Sequence, residues 1–293
     1  MKDLTERLAL GMNDERIVAV DGESRLAVTA VDCTAAASDL ARAHLSGPVA
    51  STYLLQALAG VALLGAETSR ADETVTFRLD CPGPLEGWLV ECTEKGTLRG
   101  YTKKKILDDF DGGKFKDADV IGSTGTVEVI RSVPGAVLAS GSATVEFVAK
   151  KGVPHAAQAL DAYFMQSLQR RVRVSVYGAA GDDGVPVAAR GVMVECPPDG
   201  DEAAFKRVAE LFDDGTAIKA ISGATFSMRT LLRKLNLALA KIRGSAPISF
   251  ACRCSRERAQ AMLDALPEAD RAGLPPKVDI TCHLCGRTWT VVR

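Results

Sequence analysis

Apolar and polar residues alternate one by one along residues 73–80, where Val75, Phe77 and Leu79 share a face. A period of two marks a half-buried strand, and residues 125–130 and 171–177 repeat it. Turn-forming clusters such as Cys81-Pro82-Gly83-Pro84 separate these runs, so the strands are expected to pair antiparallel. Residues 50–66 and 154–167 read as helices, the second with Pro154 in its first turn. Further on, Phe205, Val208, Ala209 and Phe212 fall at the i, i+3, i+4, i+7 spacing of an amphipathic helix, with Asp201 as its cap. Residues 227–243 predict a second such helix. Met228, Leu231, Leu232, Leu235, Leu239 and Ile242 line one side, Ser227 can cap the start and Gly244 can end it.

This pattern implies an α+β fold in three parts. Residues 1–184 form a mixed core domain with an antiparallel sheet and helices, 185–246 a helical linker, and 247–293 a small C-terminal domain. The chain of 293 residues is long enough for more than one domain. Its 47% apolar and 25% charged residues are those of a soluble globular protein.

Charge narrows the function classes. A formal net charge of −1 gives no overall attraction to nucleic acid or anionic membrane. The longest apolar run, 54–66, is interrupted by Gln56 and two glycines. It falls short of the roughly 20 residues of a membrane span, so a buried helix is expected. The N-terminal MKDLTERLALGMNDER lacks the apolar stretch of a secretory signal. The expected location is therefore cytoplasmic, where thiols stay reduced. Eight cysteines in such a compartment point to metal or redox chemistry.

Four of the eight carry the strongest signal. Cys252-Arg253-Cys254 and Cys282-His283-Leu284-Cys285 stand 27 residues apart. Short turns of this kind deliver soft ligands in pairs, as a tetrahedral zinc site requires. A C-terminal segment of 47 residues is too small to stabilise itself by burial alone, which makes a metal staple expected. His283 is an alternative ligand by chemistry, but a residue inside the Cys-x-x-Cys turn usually points away from the ion. Arg253, Arg256, Arg258 and Arg287 can offset the charge of four thiolates, or simply form a solvated face. Cys33, Cys81, Cys92 and Cys196 are scattered and receive no role.

Cys252-Arg-Cys-Ser-Arg-Glu-Arg258 followed by Cys282-His-Leu-Cys285 resembles the redox switch of the heat-shock protein 33 family of chaperones. Residues 48–64 resemble that family's early core helix, and Asp161-Ala-Tyr-Phe-Met-Gln-Ser167 the segment closing its core domain. The chain departs from the family at Leu168-Gln169-Arg170-Arg171, where Glu-Gln and a proline are usual. The resemblance implies an ATP-independent holdase for unfolded client proteins. Reduced, it holds one Zn²⁺ per chain on Cys252, Cys254, Cys282 and Cys285. Oxidised, it carries the disulfides Cys252–Cys254 and Cys282–Cys285, the pairs that also close the smallest loops, and homodimerisation enters as a property of that state. The apolar stripe from Met228 to Ile242 is then the candidate client-binding surface.

No nucleophile elbow, phosphate-cradling loop or dinucleotide fingerprint is present, so no enzyme is expected. The competing reading is a zinc ribbon that binds nucleic acid. It rests on the four cysteines together with the five bases and no acid of 227–243. Against it, aromatics make up only 5% of the chain.

Overall fold

The computed structural model describes residues 11–113, 116–149 and 153–293. Residues 1–10, on which most of the N-terminal reading falls, lie outside them. The first elements are β1 (Glu15–Val20) and β2 (Ala27–Asp32), then a helix Thr34–His44 and the long helix Pro48–Leu64. They are followed by β3 (Thr74–Asp80), β4 (Gly87–Thr93), β5 (Thr97–Thr102), β6 (Thr124–Val133) and β7 (Ala136–Glu146). A helix His155–Ala162 runs into a π-helical turn, Tyr163–Ser167, before β8 (Arg171–Ala180) and β9 (Pro186–Cys196). The strands expected from alternation all form, each within a few residues of its predicted ends.

Two sheets clasp the helix Pro48–Leu64. One has the strand order β10-β1-β2-β9-β8, where β10 is Lys241–Pro247. The other is ordered β11-β5-β4-β3-β6-β7, where β11 is Ser249–Phe250. Pairing is antiparallel except that β11 runs parallel to β5. Because the helix meets a sheet on each side, it is apolar all round, the pattern of a fully buried helix. Pro48 starts it at a position where its missing N–H costs nothing. With the turn that follows it, the stretch Pro48–Glu67 has 20 residues and mean hydropathy 1.6, so it is longer than the run read from sequence. By length and composition it is apolar enough to cross a membrane, but 89% of it is buried inside the protein.

Residues 185–246 are expected to form a helical linker, and here the structure differs. The segment opens with β9, which lies between β2 and β8, and closes with β10, which pairs with β1. Between them come the helices Glu202–Asp213, Thr216–Ile221 and Met228–Lys234. Asp201 caps the first by accepting from the Ala203 and Ala204 N–H groups, as its position predicts. Ser227 likewise caps the third by accepting from Thr230 N–H.

That third helix stops at Lys234, and Asn236 takes a left-handed conformation (φ 58°). Asn tolerates this geometry better than most residues. The chain then extends into β10, so the helix predicted over 227–243 is less than half its expected length. Met228, Leu231, Leu232 and Leu235 are buried, as one stripe should be. Leu239, however, is 60% exposed, and Ile242 sits half-buried on β10. The reason is tertiary: the bare edge of β1 takes residues 241–247 as a strand, and pairing with it overrides helical periodicity. The continuous basic helix on which the nucleic-acid reading rested does not form.

The five-stranded sheet is thereby covered on both faces. Its other face meets the helices of 202–234 in a second core. There Ile17, Ala19, Val28, Ala30, Val192 and Val194 pack against Val208, Phe212, Ile221 and the Met228–Leu235 stripe.

Candidate metal centre

The C-terminal module contains a helix Arg256–Asp264, a short helix Glu268–Ala272, and the hairpin β12 (Lys277–Thr281) with β13 (Thr288–Val292). Ser255 caps the first helix by accepting from Arg258 N–H. Its own core is thin. Among the described residues only Ala259, Leu263 and Val291 are fully buried in it, with Leu274, Val278, Ile280 and Trp289 packed around them. Burial on that scale does not hold a domain of this size.

The hairpin and the chain leaving β11 bring the two cysteine pairs together. The sulfurs of Cys252, Cys254, Cys282 and Cys285 all lie within 4.8 Å of one another. Cys252 Sγ is 3.8 Å from Cys282 Sγ, and Cys254 Sγ is 3.4 Å from Cys285 Sγ. Four sulfurs at about 2.3 Å from a tetrahedral ion are about 3.8 Å apart, so the donor set and its spacing fit a metal ion. All four are free thiols. Gly286 turns the chain after the second pair at φ 73°, and its N–H donates to the Cys282 carbonyl at 2.9 Å. A side chain there would strike the Ala43 carbonyl.

Electrostatics divide the sulfurs. Burial alone would push the Cys252 thiol up, but the Cys254 N–H and the neighbouring sulfurs outweigh it and hold it below the usual thiol value. Burial raises Cys282 and Cys285. His283 stands outside the sulfur cluster, its ring 6.1 Å from that of Tyr101.

The site is not confined to the C-terminal module. Cys285 belongs to the main core of the protein, and Cys252, Cys254 and Cys282 pack against it. Gly100 N–H of β5 donates to the Leu284 carbonyl at 2.8 Å. The Gly100 carbonyl in turn accepts from His44 Nε2 at 2.7 Å. Burial pushes that imidazole down, with the Gly100 carbonyl partly opposing. Arg99, one residue earlier, pairs with Glu91 at 2.5 Å and shares a cleft with Cys252. None of these core residues could be picked out from sequence. They carry no motif, and only the fold brings β5 under the cysteines.

The sequence matches the family model described as Hsp33 protein over residues 14–291. The chain belongs to the Hsp33 family. The 33 kDa chaperonin of Symbiobacterium thermophilum is 31% identical over 284 residues, covering 95% of this chain and 94% of that protein. That of Thermus thermophilus is 28% identical, over 92% of this chain and 81% of its own. Among solved structures, the Hsp33 homologue of Thermotoga maritima superposes with a TM-score of 0.78 at 20% identity, covering 95% of this chain and 94% of that one. Membership of Hsp33 makes the chain a chaperone by family. In this Hsp33 chain Arg170 follows the π-helical turn and donates its backbone N–H to the Phe164 carbonyl at 2.9 Å. Its guanidinium binds Glu195 at 2.7 Å and Glu67 at 2.6 Å, tying the π-turn to the five-stranded sheet.

Proposed function

We propose that the chain is a redox-regulated, ATP-independent holdase, kept inactive by one Zn²⁺ on the thiolates of Cys252, Cys254, Cys282 and Cys285. The observation that carries this reading is the convergence of four free sulfurs within 4.8 Å at the end of a chaperone-family chain. Zinc suits four soft thiolates in a closed tetrahedral shell, which leaves no open position for a catalytic water. It would supply structural stability and no redox chemistry of its own.

The energetics make the site a switch. Metal binding contributes about 10–16 kcal/mol to small zinc modules, while whole domains are stable by about 5–15 kcal/mol. Two equivalents of peroxide, each taking two electrons from one pair and leaving as water, form Cys252–Cys254 and Cys282–Cys285. Disulfide sulfurs are not thiolate ligands, so the module loses its metal and, with its thin core, its fold.

The chain path supports transmission to the linker. Ile248 is buried in the main core between β11 and β10 and donates its N–H to the Asp14 carbonyl at 2.7 Å. When β11 leaves β5, β10 loses its anchor, and the three helices of 202–234 follow. Client chains then bind the stripe Met228, Leu231, Leu232 and Leu235 and the sheet face beneath it. Leu239 and Ile242 lie at the edge of that surface. Residues 1–184 act as the core, 185–246 as the releasable linker and 247–293 as the switch. The resting state is cytoplasmic and reduced, and the partners are unfolding proteins, with a homodimer as the oxidised state.

Metal analysis of the four single Cys→Ser variants tests the site. Each should lose tight zinc binding, and full retention in any one removes that residue from the ligand set.

A further inference from the structure

The two cysteine pairs come from opposite ends of the C-terminal module, yet both rest on the same three residues of the core. β11 lies parallel to β5, with Ser249 beside Thr97 and Phe250 beside Leu98, which delivers Cys252 to the end of Arg99. Arg99 and Cys252 line the same two clefts. Glu91, opposite Arg99 in the β4–β5 register, takes two of the guanidinium N–H groups on one carboxylate oxygen, at 2.5 and 2.6 Å. Glu91 thereby fixes the guanidinium at the wall of the two clefts that Cys252 also lines. The next residue, Gly100, holds the second pair through the Leu284 carbonyl. The third, Tyr101, meets the ring of His283.

We propose that β5 is the frame of the metal centre, with Arg99 and Tyr101 as positioning residues that hold the two cysteine pairs together and slow the loss of the bound ion. This rests on the zinc reading above. A site with its own large core would not need such a frame, but among the described residues the module's own core has only three fully buried side chains. Groups that donate to and orient the ligands of a metal commonly alter its affinity about 10–100-fold. Arg99 is built for that work. It is mostly buried, fixed in direction by Glu91, and lines the same cleft as Cys252, whose sulfur becomes anionic when it binds metal. Through this frame the core domain sets how readily the switch fires.

The test uses the full chain, reduced and zinc-loaded, and follows transfer of zinc to a chromogenic chelator. Arg99→Gln should release zinc about tenfold faster at unchanged stoichiometry of one per chain. Arg99→Lys, which keeps the charge and an N–H donor, should fall between it and the parent. Glu91→Gln/Arg99→Gln should be as fast as Arg99→Gln, which separates loss of the donor from stranding of Glu91. Tyr101→Ala tests the second pair independently, should the Arg99 variants fold poorly, and should also accelerate release. Emission from the buried Trp88 checks that the core stays intact. Parental release rates in folded Arg99→Gln and Tyr101→Ala overturn the frame. A parent chain that takes up no zinc overturns the zinc reading and the frame with it.

Discussion

Arg173 on β8 grips Asp213, the last residue of the helix Glu202–Asp213, with both ends of its guanidinium, at 2.6 and 3.1 Å. Its Nε donates to Asp161 of the core at 3.1 Å. A single arginine thus ties the helix Glu202–Asp213 to β8 and to Asp161. An equivalent tie is made by Arg190 of β9, which pairs with Asp32 and donates to the Ile221 and Gly223 carbonyls at 3.2 and 2.6 Å.

Loosening the first tie should favour linker release with the metal still bound. Asp213→Asn removes a half-exposed ion pair, a loss of about 1 kcal/mol. Arg173→Met should cost more, because it also leaves Asp161 without its counter-ion. Hydrogen exchange is the check. Amides of 202–246 should exchange faster in both variants, while those around the four cysteines keep parental protection. Equal exchange in the linker would show that the apolar contact alone holds it.

Asp161 itself titrates against the fold. Burial pushes its carboxyl up to about 7, although Arg173 and the Val174 N–H pull the other way. An unfolded aspartate titrates near about 3.9, so the folded state binds this proton more tightly. Its contribution to stability is therefore greatest at low pH and declines as pH rises from about 4 to about 7. Urea midpoints of the parent and Asp161→Asn, measured across pH 5–8, should differ in slope, with the variant losing less stability as pH rises. Parallel profiles would rule this titration out.

Within the stripe from Met228 to Ile242, the positions should now behave differently. Leu235 is fully buried and Leu239 is 60% exposed. Leu235→Glu places an unpaired charge in the second core and should destabilise the linker by a few kcal/mol. That variant is expected to suppress client aggregation even when reduced and zinc-bound. Leu239→Ser should match the parent in both redox states. A soluble, folded Leu235→Glu that stays inactive until oxidised contradicts the release of this stripe as the activating step.

How much of this was legible beforehand depends on the range of the interactions. Strands such as 73–80 were read from local alternation, and Asp201 and Ser227 were read as caps from their own neighbours. The four cysteines were legible because ligand chemistry requires short spacings. What failed was non-local. Nothing in 235–247 announces that β1 has a free edge waiting for it, so its helical periodicity misled. Arg99, Gly100 and His44 were invisible for the same reason, since each matters through contacts with residues far along the chain.

The four cysteines outside the centre should stay silent during oxidation. Burial pushes the Cys33 thiol well up, Cys81 and Cys92 up to about 11, and Cys196 also upward. They remain protonated at neutral pH, and thiols react with peroxide chiefly as thiolates. Native alkylation read by mass spectrometry should find all four reduced at the point where Cys252, Cys254, Cys282 and Cys285 are oxidised. Early oxidation of Cys81, the half-buried one of the four, would add a second sensor and break this assignment.

The most direct measurement follows zinc release and client protection in one peroxide time course on the full chain. The expected result is one zinc lost per chain as the four site thiols disappear, with suppression of client aggregation rising in step or after it, and both reversed by reductant and zinc. Strong protection by the zinc-loaded reduced protein, or complete zinc loss with no gain in protection, would contradict the switch.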